Sequence, residues 1–200
     1  MRIGIEINGV LRNTIGKIEQ TYQKFFIDKT EGIDDVDPFE YKITKPFDTL
    51  ELKNHFNFKD DDELYSFLYE EFPMEIFGHA QSTEYTTFND LNDVYFNLRE
   101  KHELIILSDE IGKSKPASLF FLSKFGCLFE NIKFYSNMTI NSMWDEIDVL
   151  LTSNPTLLLD HPSDKLLIKY NTEYNEKIDS MYSINQIKEL EELIKQIAPC

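Results

Sequence analysis

Cysteine is scarce: Cys127 and Cys200 are all that 200 residues contain. Two isolated thiols exclude a disulfide framework and point to a reducing, cytoplasmic compartment. Cations are also few. Twenty Lys and Arg stand against 36 Asp and Glu, a formal net charge of -16 at pH 7. A polyanion is repelled by such a surface, so no nucleic-acid partner is expected. No apolar run approaches the length of a membrane span, so no membrane partner is expected either. Met1-Arg2 runs straight into a strand pattern, which does not read as a signal peptide. His55, His79, His102 and His161 are scattered, without metal-ligand spacing. Internal repeats and low-complexity segments are lacking. What is present is apolar: hydrophobic residues make up 42% of the chain and aromatics 14%, enough for a real core. The length suits one domain, with room for a subdomain.

Ile3, Ile5 and Ile7 alternate in a short β-branched strand that ends at Gly9. The pattern then turns helical, with Ile15, Ile18, Tyr22, Phe25 and Phe26 on one face and Asn13 or Thr14 as cap. Residues 31–38 are acidic and turn-rich, an exposed loop. Asp60-Asp61-Asp62-Glu63 precede Leu64, Phe67, Leu68 and Phe72, and carboxylates there favour the positive end of a helix. Leu91, Val94, Tyr95 and Leu98 mark a further helix. Core strands are predicted at 104–107, 132–135, 148–151 and 166–170, and a helix at 117–125 with Gly126 as its stop. Ile184, Ile187, Leu190, Ile194 and Ile197 form one stripe of a closing helix, with Ser183-x-x-Gln186 as a capping box.

The opening run Glu6-x-Asn8-Gly9-Val10-Leu11 resembles the first motif of the haloacid dehalogenase (HAD) superfamily, whose pattern is Asp-x-Asp-Gly-[Thr/Val]-[Leu/Val]. Later strand ends fit in order. Ser108 matches the family's phosphate-holding Ser or Thr, and Thr152 and Ser153 stand where acidic residues hold Mg²⁺. Asn171-Thr172-Glu173-Tyr174-Asn175 resembles the post-strand segment of 5'(3')-deoxyribonucleotidase-like members. The resemblance implies a doubly wound parallel α/β core over residues 1–12 and 100–200, with a mostly helical cap inserted at 13–99. Most of the cap's aromatics, among them Tyr65, Phe67, Tyr69, Phe72, Phe77, Tyr85 and Phe88, are expected to fill its own interior.

The departures from the family pattern fall on the chemistry. In the family the first Asp is the nucleophile. Glu6 keeps the charge but moves the carboxylate by about an ångström, and a misplacement of that order costs about 10²-fold. The second Asp is the general acid and base, and Asn8 has no proton to exchange near neutral pH. The family's third-motif Lys aligns with Ser136-Asn137-Met138-Thr139, where there is none; Lys115 then reads as a surface residue at a helix start. Asp109 and Glu110 would repel a phosphate dianion, and a helix-capping or loop role is expected of them. If a metal binds, its ligands are Glu6 and the Asn8 carbonyl.

Together these substitutions at Glu6, Asn8, Thr152 and Ser153, with the missing Lys, indicate a catalytically inactive HAD-like protein. Its expected role is as a binding or structural component, with a protein partner or by self-association, and no cofactor is expected. The alternative is a divergent Mg²⁺-dependent phosphatase or 5'-nucleotidase using Glu6 and Ser108. Scarce Arg with abundant Ile, Asn and Lys suggests an AT-rich genome such as that of a virus or phage, and then a place within a viral particle.

Overall fold

A computed structural model describes residues 1–29 and 40–198. The acidic stretch expected as a loop at 31–38 lies outside the described residues. Among the described residues six strands form one sheet: β1 (Arg2–Glu6), β2 (Glu103–Asp109), β3 (Ile132–Tyr135), β4 (Val149–Thr152), β5 (Leu166–Tyr170) and β6 (Ser183–Ile184). Their spatial order is β3-β2-β1-β4-β5-β6, and every neighbouring pair is parallel. This is the doubly wound α/β arrangement expected from the run of apolar strands. The near-continuous apolar sequence of β1, β2 and β4 follows from it, because a parallel strand with helices on both faces has no wet side.

Eight α-helices accompany the sheet among the described residues: α1 (Thr14–Tyr22), α2 (Leu52–His55), α3 (Asp61–Tyr65), α4 (Thr87–Leu98), α5 (Ser114–Lys124), α6 (Ile140–Glu146), α7 (Pro155–Leu159) and α8 (Glu189–Ile197). Alternation along the strands sorts the side chains to two faces. Ile3, Ile5, Ile106 and Leu151 pack against Leu91 of α4, Phe121 of α5 and Ile194 of α8. Ile105, Leu107 and Leu150 pack against Trp144 of α6 and Leu157 of α7. A third cluster lies in the insertion, where Ile18 and Tyr22 of α1 meet Phe56, Phe67 and Ile76. The Tyr22 ring is 5.1 Å from both Phe26 and Phe56, so aromatic contacts supply much of that small core. Tyr85 is almost wholly exposed, and Phe88 belongs with α4 to the sheet's own core.

Two local expectations change. Ser183 does not cap the closing helix: Ser183 and Ile184 pair with Lys169 and Tyr170 as β6, and α8 begins only at Glu189. Ile184 and Ile187 are buried as the stripe required, so burial was read correctly and conformation was not. Three segments of the insertion, Gln23–Ile27, Ser66–Glu71 and Met74–Gly78, are wide π-type turns, which a 3.6-residue period does not distinguish from α-helix.

Candidate active site at the carboxyl end of the first strand

An open parallel sheet places its crevice at the carboxyl ends of the strands where the winding reverses. Here that point is the end of β1, between β2 and β4. Glu6, Asn8, Ser108, Thr152 and Ser153 all converge on it, although they come from three separate strands. A cavity of about 140 Å³ reaches Glu6 and Asn8, with Asp109, Tyr69, Phe77 and Tyr174 also in its walls.

Glu6 is buried, and both carboxyl oxygens are taken. Oε1 accepts from the Tyr135 hydroxyl at the end of β3, and Oε2 accepts from Thr152 Oγ1. Burial pushes the Glu6 pKa up to about 8, and the nearby Asp109 charge adds to the push; the bonds from Thr152 and Tyr135 oppose it without winning. Glu6 is therefore largely protonated at neutral pH. The same burial, with Glu6 and Asp109 beside it, holds the Tyr135 phenol well above its ordinary pKa. Asp109 is also pushed up, chiefly by the desolvating walls around it, although its side chain keeps an opening to solvent that moderates the effect.

Asn8 is clamped on every polar atom of its side chain. Its Nδ2 donates to Asp109 Oδ1 at 2.9 Å, and its Oδ1 accepts from Arg12 Nη2 at 2.6 Å and Thr14 Oγ1 at 2.7 Å. Its backbone carbonyl accepts from Ser153 Oγ at 3.2 Å, and Ser153 Oγ also meets the Tyr174 hydroxyl at 2.9 Å. Gly9 makes this closure possible. Its φ is +72°, and a Cβ there would overlap both the Tyr174 hydroxyl and Ser153 Oγ. Asn175 anchors the segment by donating to the carbonyls of Ser153 and Tyr170, each at 2.9 Å.

Arg12, like Tyr135, is a site residue that sequence reasoning missed. It is fully buried and ion-paired with Glu110, also fully buried. It donates to the Phe77 carbonyl at 2.8 Å and to Ser118, and its guanidinium lies 5.0 Å from the Phe77 ring centre and 5.2 Å from that of Phe121. Glu110 Oε1 collects Arg12, Ser108 at 2.9 Å and Ser118 at 2.6 Å, while Oε2 is buried without a hydrogen-bond partner. The loop or capping role expected of Glu110 is thus replaced by a buried ion pair, and Ser108 spends its hydroxyl proton on that pair. The only sequence signal was an Arg among apolar residues in a chain with three of them. Its partner stands 98 positions away, beyond any local spacing rule.

The donor set does not fit Mg²⁺. That ion needs near-octahedral oxygens and at least one good carboxylate. Glu6 offers a carboxyl whose two oxygens are both hydrogen-bonded to hydroxyls, the Asn8 carbonyl already accepts from Ser153, and Thr152 Oγ1 also accepts from the Asn154 amide at 2.9 Å. Among the described residues no three His, Cys, Asp or Glu side chains gather where a metal could be held.

Solved structures share this fold. A haloacid dehalogenase-like hydrolase of Burkholderia xenovorans is 11% identical, covers 97% of this chain and 96% of its own, and has a TM-score of 0.58. A haloacid dehalogenase-like family protein of Streptococcus pneumoniae is 12% identical, covers 96% of this chain and 97% of its own, and has a TM-score of 0.60. No protein family and no curated protein matches the chain by sequence. The chain therefore has the HAD-like hydrolase fold, and fold does not determine chemistry.

Proposed function

We propose that this chain is a phosphatase-fold protein that has lost phosphoryl-transfer chemistry and serves as a binding or structural component, derived from the 5'(3')-deoxyribonucleotidase-like branch. The observation that carries this is the closure of the site by the chain's own hydrogen bonds. Phosphoryl transfer on this fold needs a free anionic nucleophile, an acid and base, a cation for the phosphate and a metal. Burial pushes Glu6 toward its protonated form and two hydroxyls hold its oxygens, and Asn8 cannot exchange a proton. Arg12, the nearest buried cation, is neutralised by Glu110. The Tyr174-Asn175 segment, which supports the branch assignment, here seals Gly9 and Ser153.

The test is hydrolytic. Purified protein with Mg²⁺ is expected to release no phosphate from p-nitrophenyl phosphate or deoxynucleoside monophosphates above background. Saturable, Mg²⁺-dependent release that disappears in Glu6→Ala would establish the phosphatase reading instead. A cleft of about 740 Å³ beside the site, with Phe47, Tyr170 and Tyr174 in its walls, favours a second reading, a scaffold that holds a small ligand without turnover. Retention of a small molecule through purification, seen by mass spectrometry of the denatured protein, would support it.

A further inference from the structure

The hydrogen bonds that close the site stop short of Asp109. This residue ends β2 with its side chain open to the crevice, while the five strand residues before it are buried. Its Oδ1 accepts from Asn8 Nδ2 at 2.9 Å, and Asn8 is the only side chain that donates to the carboxylate. Among the described residues no Lys, Arg or His pairs with it. Arg12, the buried cation nearby, is already paired with Glu110. Asp109 is thus a carboxylate inside a crevice without a counter-ion, which separates it from the solvated acid of the outer surface.

The cavity of about 140 Å³ around it is otherwise mostly apolar. Ile18 of α1, Leu52 of α2, and Leu68 and Phe77 of the insertion stand in its walls. Tyr69 joins them, its ring stacked 5.9 Å from that of Phe77. The Tyr69 hydroxyl has no hydrogen-bond partner among the described residues, and its pKa is pushed up to about 12, by burial first and by the Asp109 charge second. Glu6 is the only other carboxyl in the walls, and both of its oxygens are taken. The volume suits a small organic molecule and exceeds that of a single water. Most occupants fail against these walls. An anion would meet Asp109 with no free cation to offset it. A metal ion needs several oxygen ligands and finds one free carboxylate. A wholly apolar molecule would strand that carboxylate away from water. An ammonium on an aliphatic body satisfies both parts: its N–H groups donate to Asp109 and to the Tyr69 oxygen, and its methylenes lie along Ile18, Leu52 and Leu68.

We propose that this cavity binds a small primary alkylammonium, with Asp109 as its counter-ion and the apolar side chains of the insertion around its aliphatic body. This deepens the reading of a scaffold that holds a small ligand without turnover, and rests on it. The two fail separately. A molecule retained through purification that carries no amino group would keep the scaffold reading and defeat this one, while specific amine binding by a protein that retains nothing would do the reverse.

Titration of the full chain with n-butylammonium chloride at physiological salt, followed by NMR, tests it. Saturable binding is expected. Affinity is expected to rise about fourfold per methylene from ethylamine to butylamine, as burial of apolar surface requires. Carboxylates on the outer surface would hold these amines alike. n-Butanol, of similar shape but without the charge, is expected to bind at least about tenfold more weakly. Asp109→Asn keeps an acceptor for Asn8 and is expected to cost binding at least about tenfold, whereas Asp164→Asn, outside the cavity, is expected to change nothing. The butanol and chain-length comparisons use the wild type, so they stand whether or not Asp109→Asn folds. No saturable binding of butylamine, equal affinity for butanol, no gain with chain length, full affinity in a folded Asp109→Asn, or an equal loss in Asp164→Asn would overturn the proposal.

Discussion

Burial makes Glu6 electrostatically strained, and the sign of its effect on stability can be worked out. Its pKa is about 8 when folded and near the ordinary carboxylate value of 4.5 when unfolded. Between those values the unfolded chain has lost the proton that the folded chain keeps. Stability is therefore full below about pH 4.5, falls as pH rises through the interval, and levels off above about pH 8. The loss is on the order of 5 kcal/mol, the interval from 4.5 to about 8 at about 1.4 per unit. Glu6→Gln keeps an acceptor for Tyr135 and cannot ionise, so it is expected to remove this slope and raise the melting temperature at pH 8.5 relative to wild type. Melts at pH 5 and pH 8.5 check it; a wild-type slope surviving in Glu6→Gln would assign the effect to Asp109 or another group. Arg12 makes the second residue-scale case. Arg12→Met leaves Glu110 charged, buried and unpaired, which costs about 3–5 kcal/mol. Arg12→Met with Glu110→Gln is expected to recover much of that loss in a urea denaturation series, because the stranded charge is gone. Equal instability of the single and double variants would mean that packing, and not the ion pair, holds the two elements together.

At the scale of elements, β1 is the centre of the sheet, bonded to β2 along five residue pairs and to β4 along three. Its amides are expected to exchange with solvent hydrogen most slowly of all, near the global unfolding limit, while the two-residue edge strand β6 exchanges faster. Hydrogen exchange read by NMR checks the ranking, and faster exchange in Ile3–Glu6 than in Leu166–Tyr170 would contradict it. The same elements explain what could be read from the chain. β-branched and leucine runs at 3–7, 104–107 and 149–151 announce buried parallel strands without help from outside, and Ser108, Thr152 and Ser153 follow as strand ends. β6 was missed because Ile184 and Ile187 also fit a helical stripe, and periodicity reports which side is buried, not which backbone buries it. Tyr135 and Arg12 were missed as site residues for another reason. Their partners, Glu6 and Glu110, are 129 and 98 positions away, and only the completed sheet brings them together.

Taken as a whole molecule, the chain keeps the HAD-like hydrolase fold and fills the end of its central strand with its own hydroxyls. Tyr135 and Thr152 sit on the carboxyl of Glu6, Ser153 sits on the carbonyl of Asn8, and Tyr174 lies over Gly9. A metal would have to displace these bonds and strip the Glu6 proton. A ligand that does not bind the native state does not stabilise it. Isothermal calorimetry of Mg²⁺ into the unmodified protein at pH 7, backed by melts with and without millimolar Mg²⁺, addresses this directly. Neither binding heat nor a rise in melting temperature is expected. Saturable binding with a Mg²⁺-dependent rise, both abolished in Glu6→Gln, would contradict the closed site and show a working metal centre at the end of β1.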